Sequence, residues 1–160
     1  MKRRAIYAGS FDPVTYGHLD LIKRGLRVFD ELIVGITDNP QKRSLFTMEE
    51  RVQLLKQVVQ KWPRVKIESF NGLLVDYAKG KKATVILRGL RAVSDFEYEF
   101  QMALTNRKLS SNFETVYMMP SEIYSYVSSH LVKQVASLGG RVKAFVPPLV
   151  EKALREKFKK

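Results

Sequence analysis

YAGSFDPVTYGHLDLIKRG, residues 7–25, passes from an apolar run through a turn into a helical pattern. The turn ends at His18, one of only two histidines in the chain. Where a strand is followed by a helix, free backbone N–H groups and the positive end of the helix dipole form an anion site. A histidine there adds a hydrogen-bond donor or a full charge. The alternative is that His18 only caps or packs at the start of the helix.

Around this stretch the chain alternates between short apolar runs and helical patterns. Strands that are separated by helices indicate parallel βαβ units with right-handed crossovers. We therefore predict an α/β fold: a single Rossmann-like doubly wound domain over residues 1–160, with a five-stranded parallel sheet and helices on both faces. The five runs that read as buried strands are residues 4–8, 32–37, 65–70, 85–88 and 115–119.

The helical patterns carry signals for their buried faces and their ends. Spacing places Leu19, Ile22, Leu26 and Phe29 on one face of the first helix. Capping boxes are expected to begin two later helices, and glycine or proline marks other ends. These signals are Thr47 with Glu50, Ser94 with Glu97, Gly80 as a helix end, Ser128 or Ser129 before a helix that stops at residues 139–140, and Pro148 in a first turn.

The composition limits the classes of function. The chain has 160 residues, no cysteine and a formal net charge of +12. The lack of cysteine excludes a disulfide framework, a thiolate nucleophile and a cysteine-based zinc site. No apolar stretch is long enough for a signal peptide or a membrane span, so we expect a cytoplasmic protein with no membrane partner. The positive balance favours polyanionic partners such as nucleic acid or phosphorylated small molecules.

A second turn with chemical potential follows the fourth predicted strand, in ILRGLRAVSDFEYE, residues 86–99. Arg88 and Arg91 lie on either side of a glycine at a strand end, which is typical of phosphate ligands. Two solvated arginines would give the same pattern. In a doubly wound sheet, ligands bind beyond the carboxyl ends of the strands, where the strand order reverses. If the fourth strand lies beside the first, both turns face one crevice.

Several familiar motifs are excluded by spacing. The spacing of Gly9 and Gly17 fits neither the dinucleotide-binding motif G-x-G-x-x-G nor the P-loop. No serine lies in a G-x-S-x-G motif. The spacing of Asp12, Asp20 and Asp76 does not suggest a carboxylate metal cage. The residues alone therefore indicate a phosphate-binding site without a protein-built metal centre.

Three motifs together resemble a known family. GSFDPVTYGH, residues 9–18, looks like the T-x-G-H signature of the nucleotidylyltransferases, which are relatives of the class I aminoacyl-tRNA synthetases. RGLRAVSDFEYEFQMALTNRKL, residues 88–109, and YSYVSSHLVK, residues 124–133, resemble one branch, the bacterial phosphopantetheine adenylyltransferases. The resemblance implies transfer of the adenylyl group of ATP to 4′-phosphopantetheine, which yields 3′-dephospho-coenzyme A and pyrophosphate. It implies direct in-line attack without a covalent enzyme intermediate.

The resemblance also implies roles for individual residues. The catalytic residues would be His18, Lys42 and Arg91, with His18 stabilising the transition state at the α-phosphate. Residues 124–130 would wrap the nucleotide through hydroxyl groups and the N-terminus of the following helix. The implied acceptor ligands are Ser10, Lys42, Leu74 and Arg88. The implied ATP ligands are Ser10, Phe11, His18, Gly89, Leu90, Arg91, Glu99, Tyr124, Ser125, Tyr126, Val127, Ser128, Ser129 and His130. Mg²⁺ would bind to the ATP phosphates and water, with no metal ligand from the protein.

Three residues depart from the usual pattern of the family. Ala8 stands where relatives often have proline, and Tyr124 stands where some have tryptophan. His130 replaces the last serine of a serine run. An imidazole is longer than a hydroxyl and can become cationic beside phosphate, so an ATP contact and an ordinary surface position are both open for His130.

The resemblance further implies a homohexamer with feedback inhibition by coenzyme A and no nucleic-acid partner. Three other functions remain open. A nucleotidylyltransferase for nicotinamide mononucleotide, or for glycerol phosphate with CTP, would share T-x-G-H but should lack the R-G-L-R and D-F-E-Y-E motifs. A nucleic-acid-binding module would explain the charge but not the motifs. A metabolite sensor on the same fold would not require the three implied catalytic residues.

Overall fold

A computed structural model of the chain describes residues 2–91 and 93–159, with the backbone alone at residues 93 and 94. All five predicted strands are present, and their ends differ from the prediction by one residue. Thr37, predicted inside the second strand, lies just beyond it and donates its N–H to the carbonyl of Gly9 (3.1 Å). The elements are β1 Arg4–Gly9, α1 Tyr16–Val28, β2 Glu31–Ile36, α2 Met48–Val58, β3 Val65–Ser69, α3 Leu74–Gly80, β4 Val85–Gly89, α4 Val93–Leu109, β5 Glu114–Met118, a 3₁₀ turn Glu122–Tyr124, α5 Ser129–Ser137 and α6 Pro148–Phe158.

The sheet is entirely parallel, with the strand order β3-β2-β1-β4-β5. The chain therefore builds outward from β1 through β2 and β3, and then returns to the other side of β1 with β4. Tyr7 of β1 pairs with Val34 of β2 on one side and with Leu87 of β4 on the other. The strand order thus reverses between β1 and β4, and the two turns that the sequence singled out leave the same edge of the sheet.

Both faces of the sheet are covered, as predicted. Ala5 and Tyr7 belong to a core that also includes side chains of α1, α2, α5 and α6. The alternating residues Ile6 and Ala8 belong to a second core with α3. This alternation is what a strand with two buried faces requires, since successive side chains point to opposite sides.

The predicted face of α1 packs on the core, but the most buried residues of the helix lie to one side of it. The buried residues of α1 are Gly17, Leu21, Ile22 and Gly25. Leu19 and Leu26 are only half-buried, and Phe29 lies after the last helical turn as the C-cap. The glycines allow the helix to approach the sheet closely, because a Cβ at Gly25 would lie 3.0 Å from Leu87 Cδ2.

Most helix ends follow the predicted signals. Thr47 and Glu50 form a reciprocal capping box on α2. Ser128 caps α5, whose other end closes with Gly139 in the left-handed region (φ +79°). Pro148 lies in the first turn of α6. The cap predicted from Ser94 and Glu97 lies outside the described residues, because no side chain is described at position 94.

Helix α3 ends at Gly80, as predicted, although another residue takes the left-handed position. Gly80 is the last helical residue, but the left-handed position that closes the helix is Lys82 (φ +53°). The amides of Lys82 and Ala83 bond to the carbonyls of Lys79 and Ala78. These bonds satisfy the last turn and hold a non-glycine residue in that conformation.

Helix α4 exposes apolar side chains along its length. Phe96 (50% exposed), Phe100 (50%) and Leu104 (49%) follow one another at intervals of four residues, so they share one side of the helix. Tyr98, Met102 and Leu109 are also exposed. We call Phe96, Phe100 and Leu104 the α4 apolar face, because Tyr98, Met102 and Leu109 lie on the other side of the helix. Across the part of the chain that the structure describes, no helix combines the length and apolar character that a bilayer crossing needs.

Candidate active site

A pocket opens at the carboxyl edge of the sheet, between the ends of β1 and β4. Its lining includes every predicted site residue except Leu74, Leu90, Ser125 and Tyr126. Leu74 instead begins α3 and packs on the core of the opposite face. The structure therefore brings the remaining predicted residues together, and their contact with substrate stays a prediction.

His18 is held by the cap of α1. Its Nδ1 accepts a hydrogen bond from the Thr15 N–H (3.0 Å), and its own N–H donates to Thr15 Oγ1 (3.3 Å). An Nδ1 that accepts places the ring proton on Nε2. The Phe11 ring packs on the imidazole with 4.9 Å between ring centroids. His18 thus caps the helix with one nitrogen while Nε2, which has no partner among the described residues, is left as a donor at the pocket.

The surroundings of His18 disfavour the charged form of its imidazole. Burial, together with the nearby charges of Arg91 and Arg88, lowers its pKa to about 3. Between the full charge and the neutral donor that the sequence left open, this environment favours the neutral donor. A histidine that stays neutral can donate from Nε2 without adding to the crowded positive charge of the two arginines.

This shift predicts a pH dependence of stability. An unfolded chain protonates His18 below about pH 6.5, whereas the folded protein keeps it neutral down to about pH 3. The unfolded state therefore binds more protons in this window, and stability falls as the pH falls through it. We expect the melting temperature to drop more steeply from about pH 7 to about pH 4.5 in the wild type than in His18→Gln. Glutamine can keep the capping bond but does not titrate. Parallel melting curves for the two proteins would contradict the neutral assignment.

Arg88 is part of a compact charged pair. Its Nε donates to Glu99 Oε2 (2.9 Å), its Nη2 donates to Glu99 Oε1, and its Nη1 donates to the Ala8 carbonyl (2.6 Å). Desolvation opposes the charge, but the hydrogen bonds and the charge of Glu99 raise the pKa of Arg88 above its ordinary value. One N–H on each terminal nitrogen remains for a ligand. Glu99 therefore acts first as the partner of Arg88.

Arg91 ties three segments together at the pocket. Its Nε and backbone N–H both donate to Asp95 Oδ2 (3.3 and 3.2 Å), and its Nη1 donates to the Val127 carbonyl (3.2 Å). Asp95 belongs to the D-F-E-Y-E motif, yet sequence reasoning gave it no role. Its position four residues after Arg91 was the signal, because an aspartate in the first turn of a helix readily accepts from residues just before it.

The N-terminus of α5 offers main-chain donors more than hydroxyl groups. The Ser129 hydroxyl donates to the Pro13 carbonyl (2.7 Å), and the Ser125 hydroxyl donates to the Glu122 carbonyl (2.8 Å). The amides of Ser129 and His130 have no acceptor among the described residues. That hydroxyl groups and the helix N-terminus wrap the nucleotide stays a prediction, and the amides of this first turn are available as donors for it.

Two buried charged residues near the pocket were missed by sequence reasoning. Asp12 accepts from the amides of Leu45 and Phe46, and Arg51 donates to the Ser10 carbonyl. Arg51 lies on the apolar face of α2, and a charged residue at a buried helical position was the signal that could have identified it. Lys42, in the loop between these contacts, is exposed and has no carboxylate within ion-pair distance among the described residues.

The pocket is suited to binding anions. Its two carboxylates, Asp95 and Glu99, are engaged with arginines. Within the described ranges, no three acidic or histidine side chains come together as a metal cluster. The arrangement can therefore bind phosphate groups through arginine, lysine, imidazole and main-chain donors.

Comparisons with known proteins show the family of the chain. The chain matches the cytidylyltransferase-like family over residues 6–135. It is 57% identical over 158 residues to the phosphopantetheine adenylyltransferase of Caldanaerobacter subterraneus subsp. tengcongensis, with 99% of each chain covered. It is 56% identical over 154 residues to that of Geotalea daltonii, with 96% of each chain covered.

Solved structures show the same fold at low sequence identity. Plasmodium falciparum nicotinic acid mononucleotide adenylyltransferase, complexed with NaAD, has a TM-score of 0.72 at 16% identity, covering 98% of this chain and 96% of that one. A bifunctional NMN adenylyltransferase/ADP ribose pyrophosphatase from Francisella tularensis has a TM-score of 0.73 at 16% identity, covering 98% of this chain and 49% of that one. The architecture is shared across these enzymes, but identity above one half over nearly the full length is more specific: the chain belongs to the phosphopantetheine adenylyltransferases, nucleotidyltransferase enzymes of the cytidylyltransferase-like family.

Proposed function

We propose that the protein transfers the adenylyl group of ATP to 4′-phosphopantetheine in the cytoplasm, forming 3′-dephospho-coenzyme A and pyrophosphate. One observation carries the proposal: His18, Lys42, Arg88 and Arg91 line a single pocket with the first turns of α1 and α5. This arrangement suits a reaction between two polyanions, because both must be held together against their mutual repulsion. The names of the relatives at above one-half identity support the same substrates.

The chemistry needs positioning more than acid–base catalysis. An oxygen of the acceptor phosphate attacks the α-phosphorus of ATP, while the bond to the oxygen that bridges to the β-phosphate breaks. Pyrophosphate leaves with that electron pair. The attacking oxygen is already anionic, so no general base is required. Thr15 Oγ1 lies 3.2 Å from His18 Nδ1, but Thr15 is buried and used as a helix cap, so this pair offers no exposed nucleophile.

The donors divide between the two substrates. Arg88, with its two remaining N–H groups, binds the acceptor phosphate, and Arg91 with the amides of Ser129 and His130 binds the ATP phosphates. The Nε2–H of His18 donates to the α-phosphate oxygen, where negative charge builds up in the transition state. Lys42 supplies an unpaired cation to the acceptor and the transition state.

Mg²⁺ would enter with ATP, bound through phosphate oxygens and water. The residues present fit this arrangement, since Asp95 and Glu99 are already bonded to Arg91 and Arg88 and the protein's free groups are anion donors. When bound, the ion neutralises part of the phosphate charge. The residues of this chain then hold the phosphates and not the ion.

The decisive experiment compares acceptors. Pyrophosphate release should require 4′-phosphopantetheine with ATP, and it should be absent with nicotinamide mononucleotide, or with glycerol phosphate and CTP. Release with one of the other acceptors alone would overturn the assignment. Exchange of labelled pyrophosphate into ATP without acceptor would contradict direct attack, because it requires an adenylyl-enzyme intermediate.

We further propose that the protein is a homohexamer in which coenzyme A acts as a feedback inhibitor. The α4 apolar face supports self-association, since exposed contiguous apolar patches on soluble proteins mark interaction surfaces. Coenzyme A shares its pantetheine arm with the substrate, so it would compete at the same pocket.

The assembly can be tested at one residue. Leu104→Glu puts a charge into the α4 apolar face, and burying an unpaired charge at an interface is costly. We therefore expect light scattering with size exclusion to show hexamers for the wild type and smaller species for Leu104→Glu. Leu138→Glu is a matched control, because Leu138 is 82% exposed but lies at the end of α5. If all three proteins have the same mass, the α4 apolar face takes no part in the assembly.

A further inference from the structure

One buried carboxylate joins three parts of the site. Asp12 is 4% exposed and follows the pocket residues Ser10 and Phe11 in the turn after β1. Its Oδ2 accepts from the amide of Leu45 (2.9 Å) and from Lys133 Nζ (2.8 Å). Its Oδ1 accepts from the amide of Phe46 (2.9 Å). A buried charge is stable only when it is bonded in this way, so the three donors and the carboxylate hold one another in place.

These donors come from the two segments that complete the pocket opposite Arg88. Leu45 and Phe46 end the loop that carries Lys42 between β2 and α2. Lys133 lies on α5, one helical turn beyond Ser129, whose amide is a free donor at the pocket. Asp12 therefore links the turn after β1, the Lys42 loop and the phosphate-facing end of α5.

A second buried group fixes the far end of the same loop. Arg51 is 2% exposed, and its guanidinium bonds to Asp38 at the start of the loop and to the carbonyls of Thr47 (3.3 Å) and Ser10 (3.0 Å). The loop is thus held through the Asp38 side chain by Arg51 and through the amides of residues 45–46 by Asp12. Lys42 lies between the two anchors, in a turn closed by the bond from its amide to the Asn39 carbonyl (2.9 Å).

We propose that Asp12 is a positioning residue for adenylyl transfer, which sets the place from which the Lys42 ammonium group meets the phosphates. The proposal rests on the function proposed above, because Lys42 must act on a substrate phosphate for its place to matter. Asp12 itself is buried and does not line the pocket. Its influence reaches the reaction through the loop, because small displacements of a charged donor cost rate even when binding is kept.

A double-mutant cycle tests this inference. Asp12→Asn removes the negative charge and places an amide group opposite three donors, so the loop loses at least one anchor. We expect kcat to fall about tenfold in Asp12→Asn, but less than about twofold when the same change is made in Lys42→Ala. A residue with a merely structural role would lower kcat by the same factor in both backgrounds. Amide exchange at Leu45 and Phe46 should also rise in Asp12→Asn, while exchange at Val59 stays unchanged.

Glu31→Gln is the matched control for loss of a buried ion pair. Glu31 pairs with Arg4 and Lys66 at the amino end of the sheet, the edge opposite the pocket. The Glu31→Gln variant should lose about as much stability as Asp12→Asn and keep the kcat of the wild type. If Asp12→Asn does not fold, Lys133→Met takes its place in the double-mutant cycle with Lys42→Ala. Lys133→Arg keeps a cation for Asp12 and should restore kcat.

The outcomes separate this proposal from the proposed function. A wild-type enzyme that releases no pyrophosphate with phosphopantetheine refutes the function, and the exchange measurement still tests the anchoring of the loop. If the wild type is active and Asp12→Asn lowers kcat by the same factor in the wild type and in Lys42→Ala, the proposed role of Asp12 is wrong. Unchanged exchange at Leu45 and Phe46 overturns it as well.

Discussion

His18→Ala is expected to lower kcat by about 10²- to 10³-fold and to change ATP affinity by only a few-fold. The imidazole has its Nε2–H at the pocket, and in the proposed mechanism it donates to the α-phosphate as that group gains charge. An interaction that strengthens in the transition state lowers the barrier without tightening the ground state. Steady-state kinetics, together with ATP titration calorimetry, measure the two effects separately.

The control must remove a helix cap without touching the pocket, because His18 is also the third residue of a capping box. Glu50→Ala removes the equivalent residue of the capping box on α2. Loss of such a cap costs about 1 kcal/mol, so both variants should melt earlier. Only His18→Ala should show a lower kcat, and Glu50→Ala should keep the kcat of the wild type. An unchanged kcat in His18→Ala would leave His18 with the capping role alone.

Arg88→Ala is expected to weaken phosphopantetheine binding about ten- to a hundredfold, and ATP binding much less. It should also destabilise the protein by roughly 3 kcal/mol, since it leaves Glu99 buried at 7% exposure without its charged partner. Calorimetry with each substrate, below the melting transition of the variant, separates binding from folding. A larger loss for ATP would mean that the roles of Arg88 and Arg91 are reversed.

A double variant separates the two consequences of losing Arg88. Arg88→Ala with Glu99→Gln removes the unpaired buried charge, so much of the lost stability should return. The acceptor affinity should stay low, because the guanidinium is still missing. Glu99→Gln alone keeps Arg88 and should bind phosphopantetheine more tightly than either Arg88 variant. If acceptor binding recovers in the double variant, Arg88 supports the pocket and does not bind the acceptor.

The sheet could be predicted from the sequence because buried parallel strands are continuous apolar runs bounded by turns. The prediction was incomplete where packing depends on the absence of a side chain, as on α1, where Gly25 lies against Leu87 and Leu32 of the sheet. Apolar periodicity gives no weight to a glycine, so Gly25 was absent from the predicted face. Lys82 shows the same limit, since its left-handed backbone depends on bonds to the turn before it.

The sequence predicted those site residues whose position at a turn distinguishes them from ordinary surface residues. His18, Arg88 and Arg91 stand at turns, and the structure places all three at one pocket. The buried charged residues near the pocket were harder to predict, because a charged residue is expected to be exposed until the fold shows which groups face it. Asp12 and Arg51 are such cases, and both are almost fully buried. Leu74 was carried over from the family and lies outside the pocket lining of the free protein.

Because β1 lies at the centre of the sheet, the order in which the other strands join it during folding determines when the pocket forms. The units from β1 to β3 join neighbours in the chain, whereas the contact between Arg88 and Ala8 joins residues 80 positions apart. Closing such a long loop is slow and entropically costly, so the β1–β4 seam forms after the local units. The pocket lies on that seam. Catalytic competence is therefore acquired late in folding, and an opening of the seam alone would silence the enzyme while its N-terminal half stayed folded.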